Sequence, residues 1–396
     1  MNKLLAATLL FALTHSAFAG DAPKHRFIYN SDGGNMFIYK EPPMSPEDVY
    51  SYVDEVVGTS VTSFFVSPNY GQPLLFPSEV TGMIGDNATE EQEEKIQEIG
   101  PEKESSMERA ILNLRGLVSQ GQDPFGVILD RAKDQGLETF ISFRLNEIHN
   151  VQEPESLLLT DFWREHPDWR VGEEGDEVGE LYQEIIGPRV HPIVSSWFWG
   201  ALNFAIPEVR EYALAQLQEC AERYPQADGI EIDFQRFPIY FKQGEEKEHI
   251  GTMTDWLREV RKVVDEVSKK RGRPLLLSAR ILAKPEQNLG IGLDPETWAK
   301  EGLLDFMVVS HYLRNDYTLP IDEFRKIVPE GYPLYASIEV EPTREKFLEI
   351  ARPLWEKNPD GIYLFNFFTS REGGREPPFD LLNQLGYAET LPSATE

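Results

Sequence analysis

The 396-residue chain holds a single cysteine, Cys220. That excludes an intrachain disulfide and any cysteine-built metal site. Cys220 falls in a helical pattern and reads as a small buried apolar residue. Long apolar runs are missing too: Leu4–Leu13 is too short to span a bilayer, and no other segment is long enough. Positive charge is scarce, with 38 Lys and Arg against 67 Asp and Glu and a formal net charge of −29. Nucleic acid and anionic membrane surfaces are therefore excluded as partners, and the charge reads as a solvated acidic surface. No Gly-rich phosphate loop follows the first strand, no Walker loop occurs, and no GxSxG elbow is present. His149, His191 and His311 are scattered, without HxH or HExxH spacing, so neither a metal nor a cofactor is expected. Nothing in the pattern fixes an oligomeric state.

What is present begins with a leader. Lys3, the apolar run Leu4–Leu13 and the small-x-small step Ala17-Phe18-Ala19 predict a signal peptide over 1–19, cut after Ala19. The mature chain would then be secreted or periplasmic. Residues 20–388 read as one domain and 389–396 as a loose tail.

Eight strand-like runs follow: His25–Tyr29, Val61–Ser67, Thr139–Leu145, Gly229–Gln235, Leu275–Ile281, Asp305–Tyr312, Leu334–Val340 and Ile362–Phe367. Helical patterns lie between them, among them Pro124–Gln135, Pro207–Arg223, Thr254–Lys270, Pro295–Lys300 and Thr343–Lys357. Ser45-Pro46-Glu47-Asp48 reads as a helix start, and Gly136 and Gly272 as helix stops. Strands alternating with helices imply a parallel sheet, and eight of them imply closure. The fold class is α/β, a (β/α)8 TIM barrel. Long insertions follow strands 2 and 3, over 69–122 and 150–203, and both should overhang the C-terminal mouth, where such barrels keep their chemistry.

Strand parity nominates the side chains that face inward. Ser142, Arg144 and Asn146 share one face, as do Glu231, Asp233 and Gln235, then Ser278 and Arg280, then Ser310 and Tyr312. Tyr335, Ser337, Glu339 and Glu341 follow on the seventh strand, and Asn366 ends the eighth. A buried charge without a partner is too costly to keep. Glu231, one layer down, is therefore expected to form a structural ion pair with Arg280 or Arg144. Asp233 is nearer solvent, and Glu339 ends a strand nearly opposite. Two carboxyls across a sugar-sized opening are the minimum for glycoside hydrolysis, one ionised and one protonated. Asp233 suits the nucleophile or base and Glu339 the acid, with Glu341 an equally placed rival. Arg144, Asn146, His149, Arg236, Arg280, Tyr312, Glu341 and Asn366 are candidate substrate contacts. Trp197 and Trp199 are candidate stacking platforms for a carbohydrate.

A family resemblance then becomes visible. Asp228-Gly229-Ile230-Glu231-Ile232-Asp233, followed by Arg236-Phe237-Pro238, resembles the fourth-strand segment of exported glycosyl-hydrolase-like TIM-barrel proteins, the family-ten-like group. Leu202–Arg210, Ser142–His149 and Asp305–Tyr312 are similar to other segments of such barrels. The resemblance covers most of Phe27–Phe368. It implies a TIM barrel, carbohydrate as substrate class, and a catalytic role that carries over to Asp233 alone. The chain departs from the best-known retaining barrels, which end the fourth strand in Asn-Glu, and from chitinase-like barrels, which place Glu where Gln235 stands. Two alternatives stay open: a non-catalytic glycan-binding barrel, and lyase or esterase chemistry with Arg144 and Arg280 gripping an acidic or sulfated sugar.

Overall fold

The computed structural model describes residues 24–99, 106–187, 192–315, 319–339, 341 and 343–392. The leader 1–19, His191 and residues 393–396 of the tail lie outside them. Eight strands are present: β1 Arg26–Ser31, β2 Ser63–Val66, β3 Glu138–Arg144, β4 Gly229–Asp233, β5 Leu276–Leu282, β6 Phe306–Ser310, β7 Leu334–Ile338 and β8 Gly361–Phe365. Each pairs in parallel with the next, and β8 returns to β1, so the sheet closes into a barrel. The fold is the (β/α)8 barrel that the strand pattern implies, with ends shifted by a residue or two.

Alternation divides the apolar residues into two cores. Outward-facing Phe27, Ile141, Ile232, Leu277, Val309 and Leu364 join the large core under the helices. Inward-facing Ile28, Phe65, Phe140, Phe306, Val308, Tyr335, Tyr363 and Phe365 form a separate plug inside the barrel. Phe65 and Phe140 stack there with ring centroids 4.3 Å apart. Gly229 makes this possible, because a Cβ at that position would lie 2.1 Å from the Phe140 ring. Beneath the plug Arg26 pairs with Glu138 at 2.7 Å, and Ser63 and Tyr335 complete the closure. Above the plug the inward residues turn polar.

The helices follow their local signals. Ser45 caps Pro46–Asp54 in a reciprocal capping box with Asp48. Pro207–Arg223 and Pro295–Lys300 have their expected bounds. The helix expected from Thr254 starts at Ile250, because Gly251 dilutes the helical signal of its first turn. It stops at Gly272, whose φ of +69° is the left-handed cap that glycine adopts without strain. The chain between β2 and β3 carries the helices Glu90–Gln97 and Met107–Ser119 before Pro124–Asp134. The chain between β3 and β4 carries Asp161–Glu165 and Glu180–Ile186. Both stretches are tied to the top of β3. Asn69 Oδ1 accepts from the Arg144 N–H at 3.0 Å, and the Asn146 side chain exchanges two hydrogen bonds with the Leu202 backbone.

Candidate active site

Register decides which charges meet. Asp233 has Arg144 as its partner position on β3 and Arg280 on β5. One layer lower, Glu231 lies between Ser142 and Ser278. Arg280 is the centre of the upper layer. Its Nη1 lies 3.2 Å from Asp233 Oδ2, and its Nη2 donates to Glu339 Oε1 at 2.6 Å. Its guanidinium carbon sits 3.7 Å from the centre of the Phe365 ring. The two contacts, joined across a guanidinium fork about 2.3 Å wide, put the bonded carboxyl oxygens at most about 8 Å apart. That bound is below the about 9.5 Å upper limit for two carboxyls that act together on a glycosidic bond. Asp233 Oδ1 also accepts the backbone N–H groups of Gln235 and Arg236 at 2.8 and 3.2 Å. Ser310 donates to Glu339 Oε1 at 3.0 Å. Burial pushes the Glu339 carboxyl above its ordinary range, against the pull of Arg280. Asp233 and Glu339 are only 2% and 3% exposed.

The expected ion pair of Glu231 is not formed. Its Oε1 accepts from Ser142 at 2.7 Å and from Tyr363 at 2.8 Å, and Oε2 has no partner among the described residues. Both candidate arginines stand one pleat higher and are taken by other acids. Burial, and then the charge of Asp233, push the Glu231 carboxyl up to about 8. It is therefore held mainly as a neutral acid at pH 7, the cheaper state for a carboxyl fully enclosed without a cation.

A second network occupies the β1–β3 side of the mouth. Arg144 bridges Asp32 at 2.5 Å and Glu147 at 3.5 Å. Glu147 also meets His149 Nδ1, and His149 Nε2 lies 2.8 Å from Arg236 Nη2. A guanidinium only donates, so His149 accepts at Nε2 and presents its N–H to Glu147 from Nδ1. Burial would raise the Glu147 carboxyl. His149, Arg144 and Arg236 more than reverse that push and hold it well below the usual carboxylate range. Asp32 is placed by parity at the end of the first strand, without a role. Glu147 and Asn315 carry no such signal, because each lies on the loop beyond its strand and off the inward parity. The one available signal was the Ser142–His149 segment itself.

The remaining nominees divide. Trp197 is half-buried beside His149, ring centroids 5.4 Å apart, and so borders the second network. Glu341 accepts from Asn315 at 2.5 Å, and the same amide donates to the Glu339 carbonyl, so Glu341 flanks Glu339. Asn366 ends β8 in a left-handed conformation, φ 55°, half-buried. Four candidate substrate contacts are engaged within the protein. Asn146 spends its amide on the Leu202 and Ile239 backbone and acts as a clamp between loops. Tyr312 is buried and donates to the Arg236 carbonyl. Arg280 is enclosed between its two carboxyls. Trp199 packs on Trp163, with ring centroids 6.3 Å apart, and lines a separate cleft of about 870 Å³ with Arg170 and Asp176. Arg144 remains at the mouth but is neutralised twice. Gln235 donates to the Ile281 and Ser310 carbonyls and ties β4 to β5 and β6. Among the described residues no group of three His, Cys, Asp or Glu is placed to hold a metal ion.

No protein-family profile and no curated protein matches the chain. Solved structures do resemble it. One is a GH5_18 protein from Streptomyces cattleya in complex with GlcNAc, at 13% identity and TM-score 0.45, covering 87% of this chain and 70% of that one. Another is the maltogenic α-amylase AmyB from Thermotoga neapolitana, at 13% identity and TM-score 0.44, covering 86% of this chain. A third is chitinase ChiA74 from Bacillus thuringiensis, at 11% identity and TM-score 0.39, covering 80% of this chain. The chain spans 66% of the amylase and 48% of that chitinase. The barrel assignment rests on the strand pairing itself.

Proposed function

We propose that this chain is an exported glycoside hydrolase that cleaves a polysaccharide or oligosaccharide with two carboxyls. The observation that carries the reading is the shared Arg280, which gathers Asp233 from β4 and Glu339 from the end of β7 at the C-terminal mouth. Glu339, raised by burial, serves as the acid that protonates the leaving oxygen. Asp233, ringed by the N–H donors of Gln235, Arg236 and Arg280, serves as nucleophile or base. Trp197 beside the mouth offers a ring on which a sugar face can stack. The leader formed by Lys3, Leu4–Leu13 and Ala17-Phe18-Ala19 supports export, and N-terminal sequencing of the mature protein tests it.

A second reading, a barrel that binds glycans without turning them over, is favoured by one observation. Asp233, Arg280 and Glu339 are almost wholly buried and mutually neutralised, as a purely structural network would be. Lyase or esterase chemistry through Arg144 and Arg280 loses its support, since carboxylates already occupy both. Screening a broad glycan panel for turnover, with binding measured in parallel, separates the two remaining readings. Turnover abolished by Asp233→Asn supports the hydrolase, and binding without turnover supports the other.

A further inference from the structure

Three arginines reach the mouth, and they are not alike. Arg144 and Arg280 each bridge two carboxylates. Arg236 makes no ion pair within 4.0 Å among the described residues, although its charge helps to hold Glu147 ionised. It is half-buried, and its guanidinium lies against the Phe237 ring with one nitrogen on His149. Its buried Nε–H, like that of Arg280, has no acceptor among the described residues. Nor has the buried Nε1–H of Trp197, whose ring borders both His149 and Phe237. Two orphaned donors thus flank the same His149–Phe237 pair. A buried donor without an acceptor is a standing cost, and such groups in native proteins ordinarily have a partner. The backbone N–H of Arg236 is bonded to Asp233, so the cluster lies next to the carboxyl proposed to attack.

We infer that Arg236 and Trp197 receive the carboxylate of an acidic sugar, so that the substrate class is a uronic-acid-type or other carboxylated glycan. The inference rests on the reading of the mouth as a carbohydrate site. An anion is tolerable there despite the overall charge of −29. Arg144, Arg236 and Arg280 match Asp32, Glu147 and Asp233 in number, which leaves Glu339, its carboxyl pushed up by burial, and Glu341 beside it as the remaining acids of the mouth. A carboxylate matches a guanidinium that has no carboxylate of its own, through the unpartnered Nε–H, with the indole N–H as a further donor. A neutral sugar supplies only hydroxyls, which gain less from a cation.

The test is calorimetric titration of the full mature chain carrying Asp233→Asn, so that no probe is consumed. The probes are galacturonate trimer, a glucuronate-terminated trisaccharide and a sialic-acid-terminated trisaccharide, each beside its methyl ester, with a sulfated trisaccharide as a further arm. At least one acid is expected to bind about tenfold or more tightly than its ester. Adding Arg236→Met should collapse that ratio toward one. Trp197→Phe, which keeps a ring and deletes the donor, should reduce the ratio severalfold on a fold whose thermal midpoint is unchanged. The inference is overturned if no acid outbinds its ester, if the ratio survives Arg236→Met, or if sulfated sugar is preferred to every carboxylated one. Acid binding by a wild-type chain that never cleaves it would refute the hydrolase reading and leave this inference standing. Cleavage of neutral glycans alone would do the reverse.

Discussion

The two networks at the barrel mouth are built from the same parts and behave oppositely. In each, one buried arginine bridges two carboxyls: Arg280 between Asp233 and Glu339, Arg144 between Asp32 and Glu147. Yet the Glu339 carboxyl is pushed up and the Glu147 carboxyl is pulled far down. The neighbours explain it. Glu339 shares its one cation with a rival anion in an enclosed layer, so burial wins. Glu147 has the Nδ1–H of His149 and the charge of Arg236 in addition to Arg144, so the donors and cations win. The first arrangement can store a proton for delivery. The second keeps a fixed negative charge that orients His149 and steadies Arg236. What separates an acid from an anchor here is the number of nearby donors, since depth of burial is the same in both.

The largest effect should come from removing the shared arginine of the enclosed layer. Arg280→Met leaves Asp233 and Glu339 buried without a cation and is expected to destabilise the fold by about 3–5 kcal/mol in urea unfolding. Arg144→Met should cost less. The Asp32 side chain is 21% exposed and can be rehydrated, and Glu147 retains His149. Equal losses would erase the distinction between the networks.

Next in size is Glu147→Gln, expected to lose about 1–3 kcal/mol at pH 7. The sign with pH follows from the depressed carboxyl. Its contribution is present above the ordinary carboxylate range near about 4.3 and is lost as pH falls through its folded value. The gap between wild type and Glu147→Gln should therefore narrow in acid.

Glu231→Gln should show the opposite slope. With a folded value of about 8, the Glu231 contribution is complete below about pH 4.3 and lost as pH rises toward 8. Thermal midpoints of wild type should fall across that window relative to Glu231→Gln. Parallel curves would mean that Glu231 is paired after all. The smallest effect is expected at Trp199→Phe, which should leave glycan affinity within about twofold, because the ring faces a different cleft and packing there is largely kept.

Much of this was legible in the chain. Eight alternating runs gave eight strands because each parallel strand buries both faces, one on the plug and one on the helices, so period two and local turn signals suffice. Asp233, Arg280 and Glu339 could be placed at one mouth on parity alone. Their partners could not be assigned, since pairing depends on the stagger between strands: it lifts both arginines to the level of Asp233 and leaves Glu231 with Ser142 and Tyr363. The contacts of Asn146, Tyr312 and Trp199 are illegible for another reason. Their side chains meet loops whose paths no local pattern encodes. Glu147 carries no signal of its role on the same account.

The most direct test of the Asp233–Glu339 couple is the hydrolysis rate of wild type, Asp233→Asn and Glu339→Gln on a glycan panel, with thermal midpoints recorded alongside. Wild type should turn over at least one glycan, and each variant should lose about 10²–10⁴-fold of that rate while remaining folded. An unchanged rate in Asp233→Asn, or glycan binding by wild type without any turnover, would contradict the two-carboxyl reading.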